Sequence, residues 1–78
     1  MDKIIMKILK EWKQESGLKE PVRFKLYKDT LYIYAGNLGF LIGKGGITYN
    51  KYADRLVTEL SMVKGLKISL QEVSRFWA

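Results

Sequence analysis

Residues 39–52 read GFLIGKGGITYNKY, and this stretch decides the fold that the sequence predicts. It contains four of the seven glycines in the 78-residue chain, three of them in the tetrad Gly43-Lys44-Gly45-Gly46. The residues before the tetrad suffice for one or two helical turns, and an amphipathic pattern begins after it. The stretch therefore predicts a short helix, a tight glycine loop and a longer helix.

Two long amphipathic helices are predicted. One runs from residue 47 to about residue 63, because apolar side chains recur there at intervals of three and four residues, until Lys64 and Gly65 stop the pattern. The other spans residues 2–15, where isoleucines and Trp12 occupy one side and lysines the other. In so short a chain both apolar stripes are needed for the core.

Three segments alternate apolar and polar residues, which is the pattern of β-strands. Residues 22–27 and 30–35 are separated by Lys28 and Asp29 and predict a β-hairpin, and residues 66–71 predict a third strand. One face of the hairpin is apolar. The opposite face is basic and aromatic, formed by Arg23, Lys25, Tyr27, Tyr32 and Tyr34.

Together these elements predict a single α+β domain over residues 1–78, in the order α-β-β-α-α-β. A three-stranded sheet is backed by three helices, because the apolar stripes of the helices need a common partner. The core covers residues 2–71. The tail, residues 72–78, has no clear period, and its Phe76 and Trp77 are exposed unless they fold back.

Composition narrows the classes of function. Fourteen Lys and Arg oppose eight Asp and Glu, so the net charge is +6 and an anionic partner is expected. The sequence has no Cys and no His, which excludes thiolate zinc sites and Ser-His or Cys-His hydrolysis. No carboxylate pair is placed by a motif, so no enzyme is expected. The N-terminus resembles neither a signal peptide nor a membrane span, and a cytoplasmic protein without membrane contact is expected.

The glycine tetrad has the features of an anion-binding loop. Glycine permits positive φ and close approach of a ligand, and the following helix presents its positive end. Lys44 adds a mobile cation. A Walker A loop would need Gly in place of Leu38 and a hydroxyl in place of Gly45, and a Rossmann fingerprint would need Gly in place of Thr48. The remaining use of such a loop is the Gly-x-x-Gly clamp on a nucleic-acid backbone.

Residues 39–52 also resemble the core pattern of the K-homology (KH) family. In that pattern a Gly begins a short helix, an Ile precedes the Gly-x-x-Gly, and apolar residues follow at the third and sixth places beyond it. Tyr49 and Tyr52 stand where the family usually carries Ile and Leu, and Leu38 where it often carries Pro. The predicted element order is similar to the type II arrangement of small stand-alone bacterial KH proteins and of a ribosomal small-subunit KH domain. The resemblance covers about residues 2–71.

The resemblance implies that the tetrad holds the backbone of about four unpaired nucleotides, with the bases in a groove between the two core helices and the third strand. Leu41 lies on one wall, with Leu66 and Ile68 on the other. The implied partner is single-stranded RNA, with single-stranded DNA also possible, and no metal or cofactor is implied. The site residues expected are Gly39, Phe40, Ile42, Gly43, Lys44, Gly45, Gly46, Ile47, Lys51, Arg55 and Lys67.

Two alternatives remain beside this prediction. A KH fold can lose RNA binding and serve as a docking module, as a homodimer or with a ribonucleoprotein partner, but an intact glycine tetrad favours nucleic acid. The tyrosines Tyr27, Tyr32 and Tyr34 suggest a base-stacking sheet like that of an RNA recognition motif. The predicted element order and the missing aromatic signature of that family disfavour membership in it.

Overall fold

The computed structural model describes residues 2–73, which form three α-helices and three β-strands. A 3₁₀ turn, Lys44–Gly46, joins the second and third helices. The predicted class, α+β, is therefore confirmed, whereas the predicted tail falls largely outside the described residues. In chain order the elements are α1 (Asp2–Ser16), β1 (Arg23–Tyr27), β2 (Thr30–Ala35), α2 (Leu38–Ile42), α3 (Ile47–Glu59) and β3 (Lys67–Glu72).

The sheet is mixed, with β2 in the centre, antiparallel to β1 and parallel to β3. Parallel neighbours need a crossover connection, and here α2, the glycine loop and α3 supply it. The start of α2 is attached to the end of β3, because Glu72 Oε1 accepts a hydrogen bond of 3.1 Å from Leu38 N. The start of α2, which leads into the glycine loop, therefore lies at the C-terminal ends of β2 and β3.

The core lies between one face of the sheet and the helices. Along β2 every second residue is buried, and the residues between them are only partly covered, so the helices pack on one side of the sheet. The apolar face predicted for the hairpin is this inner face. The buried residues form one cluster: Ile5, Ile8, Leu9, Trp12, Leu18, Leu31, Ile33, Ala35, Leu41, Tyr52, Leu56 and Leu60.

The third helix is shorter than the sequence predicts. It ends at Glu59, because the backbone of Leu60 leaves the helical region (φ −105°, ψ 39°) while its side chain remains fully buried. A turn follows, in which Val63 N donates to Leu60 O at 2.9 Å. Gly65, with φ +67°, lies in a separate turn just before β3 rather than at the end of the helix. The third strand also begins one residue later than predicted, at Lys67.

None of the helices in residues 2–73 is long and apolar enough to cross a membrane.

Candidate functional site

The glycine loop has a backbone that requires glycine. Gly43, Gly45 and Gly46 have φ values of +75°, +67° and +80°, a region that side chains with a Cβ rarely enter. The turn is closed by two backbone hydrogen bonds, from Gly43 N to Gly39 O at 3.1 Å and from Gly46 N to Gly43 O at 3.2 Å. The three positive φ values therefore explain why this segment is glycine-rich.

The glycines have different surroundings. A Cβ at Gly43 would lie 2.5 Å from Thr48 Oγ1, so this glycine is needed for packing against α3. A Cβ at Gly45 would meet no atom within 4 Å, so the backbone there is open to a ligand. Gly46 is the N-cap of α3 and offers no side chain to the first turn. The open part of the loop is therefore at Lys44 and Gly45, both exposed.

Three apolar side chains are exposed around the loop. Phe40 is 50% exposed, Ile42 38% and Ile47 70%. We call these three residues the loop rim. Leu41, between the first two, is buried and belongs to the core instead. Exposed apolar side chains beside an open cationic loop form a surface suited to a ligand with both anionic and apolar parts.

Trp12 holds α2 in place, a role that the sequence analysis did not assign. Its buried Nε1 donates a 2.9 Å hydrogen bond to the carbonyl oxygen of Leu41, which lies two residues before the loop. Its ring stacks on Tyr52, with centroids 5.5 Å apart and planes 9° apart, and contacts Tyr49 at 6.2 Å in a tilted arrangement. The two large tyrosines are thus accommodated against a tryptophan. The signal in the sequence was a tryptophan on a buried helix face, since a buried indole N–H usually has a partner.

Lys51 and Arg55 face α1, which differs from their expected role at the groove. Lys51 Nζ lies 2.7 Å from Glu15 Oε1, and Arg55 Nη1 lies 3.0 Å from Glu11 Oε1. These carboxylates compensate two cations that were expected to meet phosphate. The partner positions lie more than thirty residues away in sequence, which is why the pairing could not be predicted.

The ion pairs and the hydrogen bonds around them shift the pKa values of the side chains between α1 and α3. The hydrogen bond from Arg55 lowers the pKa of Glu11, and those from Lys51 and Tyr52 lower the pKa of Glu15. Burial and the hydrogen bond to Glu15 raise the pKa of Tyr52 to about 12. The hydroxyl of Tyr52 lies 2.8 Å from Glu15 Oε1 and donates to it. This network stabilises the seam between α1 and α3 rather than the loop.

Lys67 lies at the end of β3 opposite to the one that contacts α2. It begins β3, pairs in register with Thr30, and points to the face of the sheet opposite the helices, since Ile68 packs against the core. Glu72, at the strand end that contacts α2, lies five positions farther along the strand, which corresponds to about 16 Å. The structure therefore brings together the tetrad, Gly39 and the loop rim, and separates Lys67 from them. Ile68 and Leu66 pack against the core as well.

A cavity of about 450 Å³ lies elsewhere, between α1 and β1, with Met6, Lys13 and Phe24 among its lining residues. Among residues 2–73 no group of three or more Asp or Glu side chains could hold a metal ion.

No protein-family model, curated protein or solved structure matches the chain. The function is therefore inferred from the geometry of the loop and its surroundings.

Proposed function

We propose that the protein is a type II KH-like RNA-binding protein that clamps single-stranded RNA with the glycine loop. The observation that carries the proposal is the open backbone at Gly45, with nothing within 4 Å of a Cβ placed there, beside exposed Lys44 and the exposed loop rim. A phosphate can approach a backbone that has no Cβ, and exposed apolar side chains can contact the faces of unpaired bases. The observed order of helices and strands, with a mixed sheet, supports the KH interpretation.

Charge at the loop comes mainly from Lys44. Lys51 and Arg55 are compensated by Glu15 and Glu11, so they contribute to the site through the position of α3 more than through free charge. The other positive charges of the protein, whose net charge is +6, raise the local concentration of a polyanion but do not direct it to a defined site. A clamp and a generally basic surface therefore predict different effects of substitution.

The test replaces Lys44 and Gly45 together by Asp. The variant Lys44→Asp/Gly45→Asp puts two carboxylates and a Cβ where the phosphate should lie, so repulsion and steric exclusion act together. Binding of a labelled single-stranded RNA pool, measured by fluorescence anisotropy at low salt, should weaken at least about tenfold, or about 1.4 kcal/mol.

The chain offers a matched control, Lys64→Asp/Gly65→Asp. Gly65 has the same φ of +67° as Gly45 and equally open surroundings, and both double variants lower the net charge by the same amount. The pair lies beyond the C-terminal end of the 13-residue α3, about 20 Å from the loop. Equal losses in the two folded variants, together with loop amides whose NMR shifts do not respond to RNA, would contradict a clamp. An RNA pool that wild-type protein does not bind would favour a docking module.

A further inference from the structure

The face of the sheet opposite the helices carries side chains from all three strands in a regular arrangement. The strand registers place its residues in three rows, each with one residue from every strand. Residues in register share a face, and neighbours across strands lie within contact distance. We call this surface the outer sheet face. Its rows are Arg23, Tyr34 and Gln71; Lys25, Tyr32 and Ser69; and Tyr27, Thr30 and Lys67.

The outer sheet face is cationic and aromatic. Three of its nine residues are basic, three are tyrosines, and none is acidic. The neighbouring carboxylate of the hairpin turn, Asp29, accepts a hydrogen bond of 3.2 Å from Thr30 Oγ1. Tyr27 is 54% exposed, and the ammonium groups of Lys25 and Lys28 lie 5.9 Å and 5.4 Å from its ring centroid. An aromatic ring therefore lies directly beside two cations.

The helices of residues 2–73 leave this face open, because they pack on the inner face of the sheet. A second copy of the chain is a poor partner for it, since two such faces would oppose Lys25 and Lys67 of both copies. Its positive charge is complementary to a polyanion, and its tyrosine rings can stack on a partner that has planar rings. Single-stranded nucleic acid has both, with unpaired bases that stack on aromatic side chains.

We propose that the outer sheet face is a second contact surface for single-stranded RNA, separate from the glycine loop. Tyr27, Tyr32 and Tyr34 stack on bases, and Lys25 and Lys67 contact phosphates. Ser69 and Gln71 share rows with Tyr32 and Tyr34, and the Gln71 amide donates a 2.7 Å hydrogen bond to the Ser69 hydroxyl. The hydroxyl proton of Ser69 and the amide oxygen of Gln71 are suited to the 2′-hydroxyl, which is both donor and acceptor. Such a surface does not require the chain to belong to the RNA recognition motif family, because the strand register and the residue types alone produce it.

Two double variants test the outer sheet face. Tyr32→Val/Tyr34→Val removes both rings while keeping net charge and strand-compatible residues, and binding of a labelled single-stranded RNA should weaken at least about fivefold. Lys25→Glu/Lys67→Glu should weaken it more than the control Lys3→Glu/Lys7→Glu, which makes the same change in charge on exposed positions of α1. Equal losses for the two charge variants, or unchanged binding by the tyrosine variant, would overturn the proposal.

An NMR titration of the wild-type protein with the same RNA keeps the test decisive if a variant fails to fold. Amide shifts should move in β1, β2 and β3 as well as in the glycine loop. In Lys44→Asp/Gly45→Asp the loop shifts should disappear and the sheet shifts should persist. If the sheet amides of the wild-type protein show no shift changes, this inference is overturned and the loop proposal stands. If the sheet amides shift and the loop amides do not, the loop proposal is overturned and this inference stands.

Discussion

A single side chain, Trp12, connects the three helices. It is fully buried on α1, donates to a carbonyl of α2 and stacks on Tyr52 of α3. The carbonyl that it satisfies belongs to Leu41, whose own side chain is 1% exposed. Because Gly43 follows two residues later, the indole helps to hold the chain that leads into the glycine loop.

Replacing Trp12 by Phe should destabilise the fold by about 2–4 kcal/mol. The change removes the donor to the Leu41 carbonyl, leaving a buried acceptor unpaired, and opens space in the core. Urea denaturation followed by far-UV circular dichroism measures the loss. The control is Phe40→Ala, which removes a half-exposed ring and should cost under about 1 kcal/mol. Similar costs for the two substitutions would contradict the role assigned to Trp12.

At the scale of elements, α3 has one face in the core and another in solvent. Leu56 is fully buried, whereas its neighbour Val57 is 47% exposed. The two positions therefore form an internal comparison within one turn of the same helix.

We expect Leu56→Ala to lower the free energy of unfolding by about 2–5 kcal/mol, because it removes methyl groups from a packed core and leaves a cavity. Val57→Ala should change it by less than about 0.5 kcal/mol, as is usual for an exposed site. Chemical denaturation of both variants provides the comparison. If Val57→Ala lowered the free energy of unfolding more than Leu56→Ala, the assignment of the buried face of α3 would be wrong.

Periodicity in the sequence was sufficient to predict the helices and strands, but not where α3 ends or how β3 pairs. An apolar residue at position 60 continues the helical pattern, although its backbone has already left the helix to bury the side chain. The helices between β2 and β3 permit a parallel crossover, but the sequence does not indicate which earlier strand β3 joins, so its pairing with β2 appears only in the structure.

Within the candidate site, the backbone of the loop follows from its glycines, and that part was predictable. The partners of Lys51 and Arg55 were not, because they depend on how α1 packs against α3. Lys67, within the predicted third strand, was included among the residues expected at the groove, whereas its strand parity directs it to the outer sheet face. Local patterns therefore predicted local geometry, and tertiary packing decided the rest.

For the whole molecule, net charge and the seam between α1 and α3 make stability depend on pH. The pKa values of Glu11 and Glu15 are lowered in the folded protein, so the unfolded chain takes up protons first as the solution is acidified. Their contribution to stability is present above their ordinary pKa of 4.5 and is lost as the pH falls through the lowered values.

Wild-type protein should therefore lose thermal stability between roughly pH 5 and pH 3 more steeply than Glu11→Gln/Glu15→Gln, which has no carboxylates to protonate at the seam. Melting temperatures measured by circular dichroism across this range test the expectation. The two curves should lie farthest apart near neutral pH and converge in acid. Parallel curves would show that the ion pairs contribute nothing to folding.

The parallel pairing of β2 with β3 also affects the rate and order of folding. The hairpin of β1 and β2 forms between neighbours in the chain, but β3 joins only after a segment of some thirty residues has closed into a loop. Closing such a segment costs entropy before the strand contacts compensate for it, which slows folding. The glycine loop lies inside this segment. Its geometry should therefore be fixed late in folding, after the hairpin has formed, and the proposed clamp would form with the last strand.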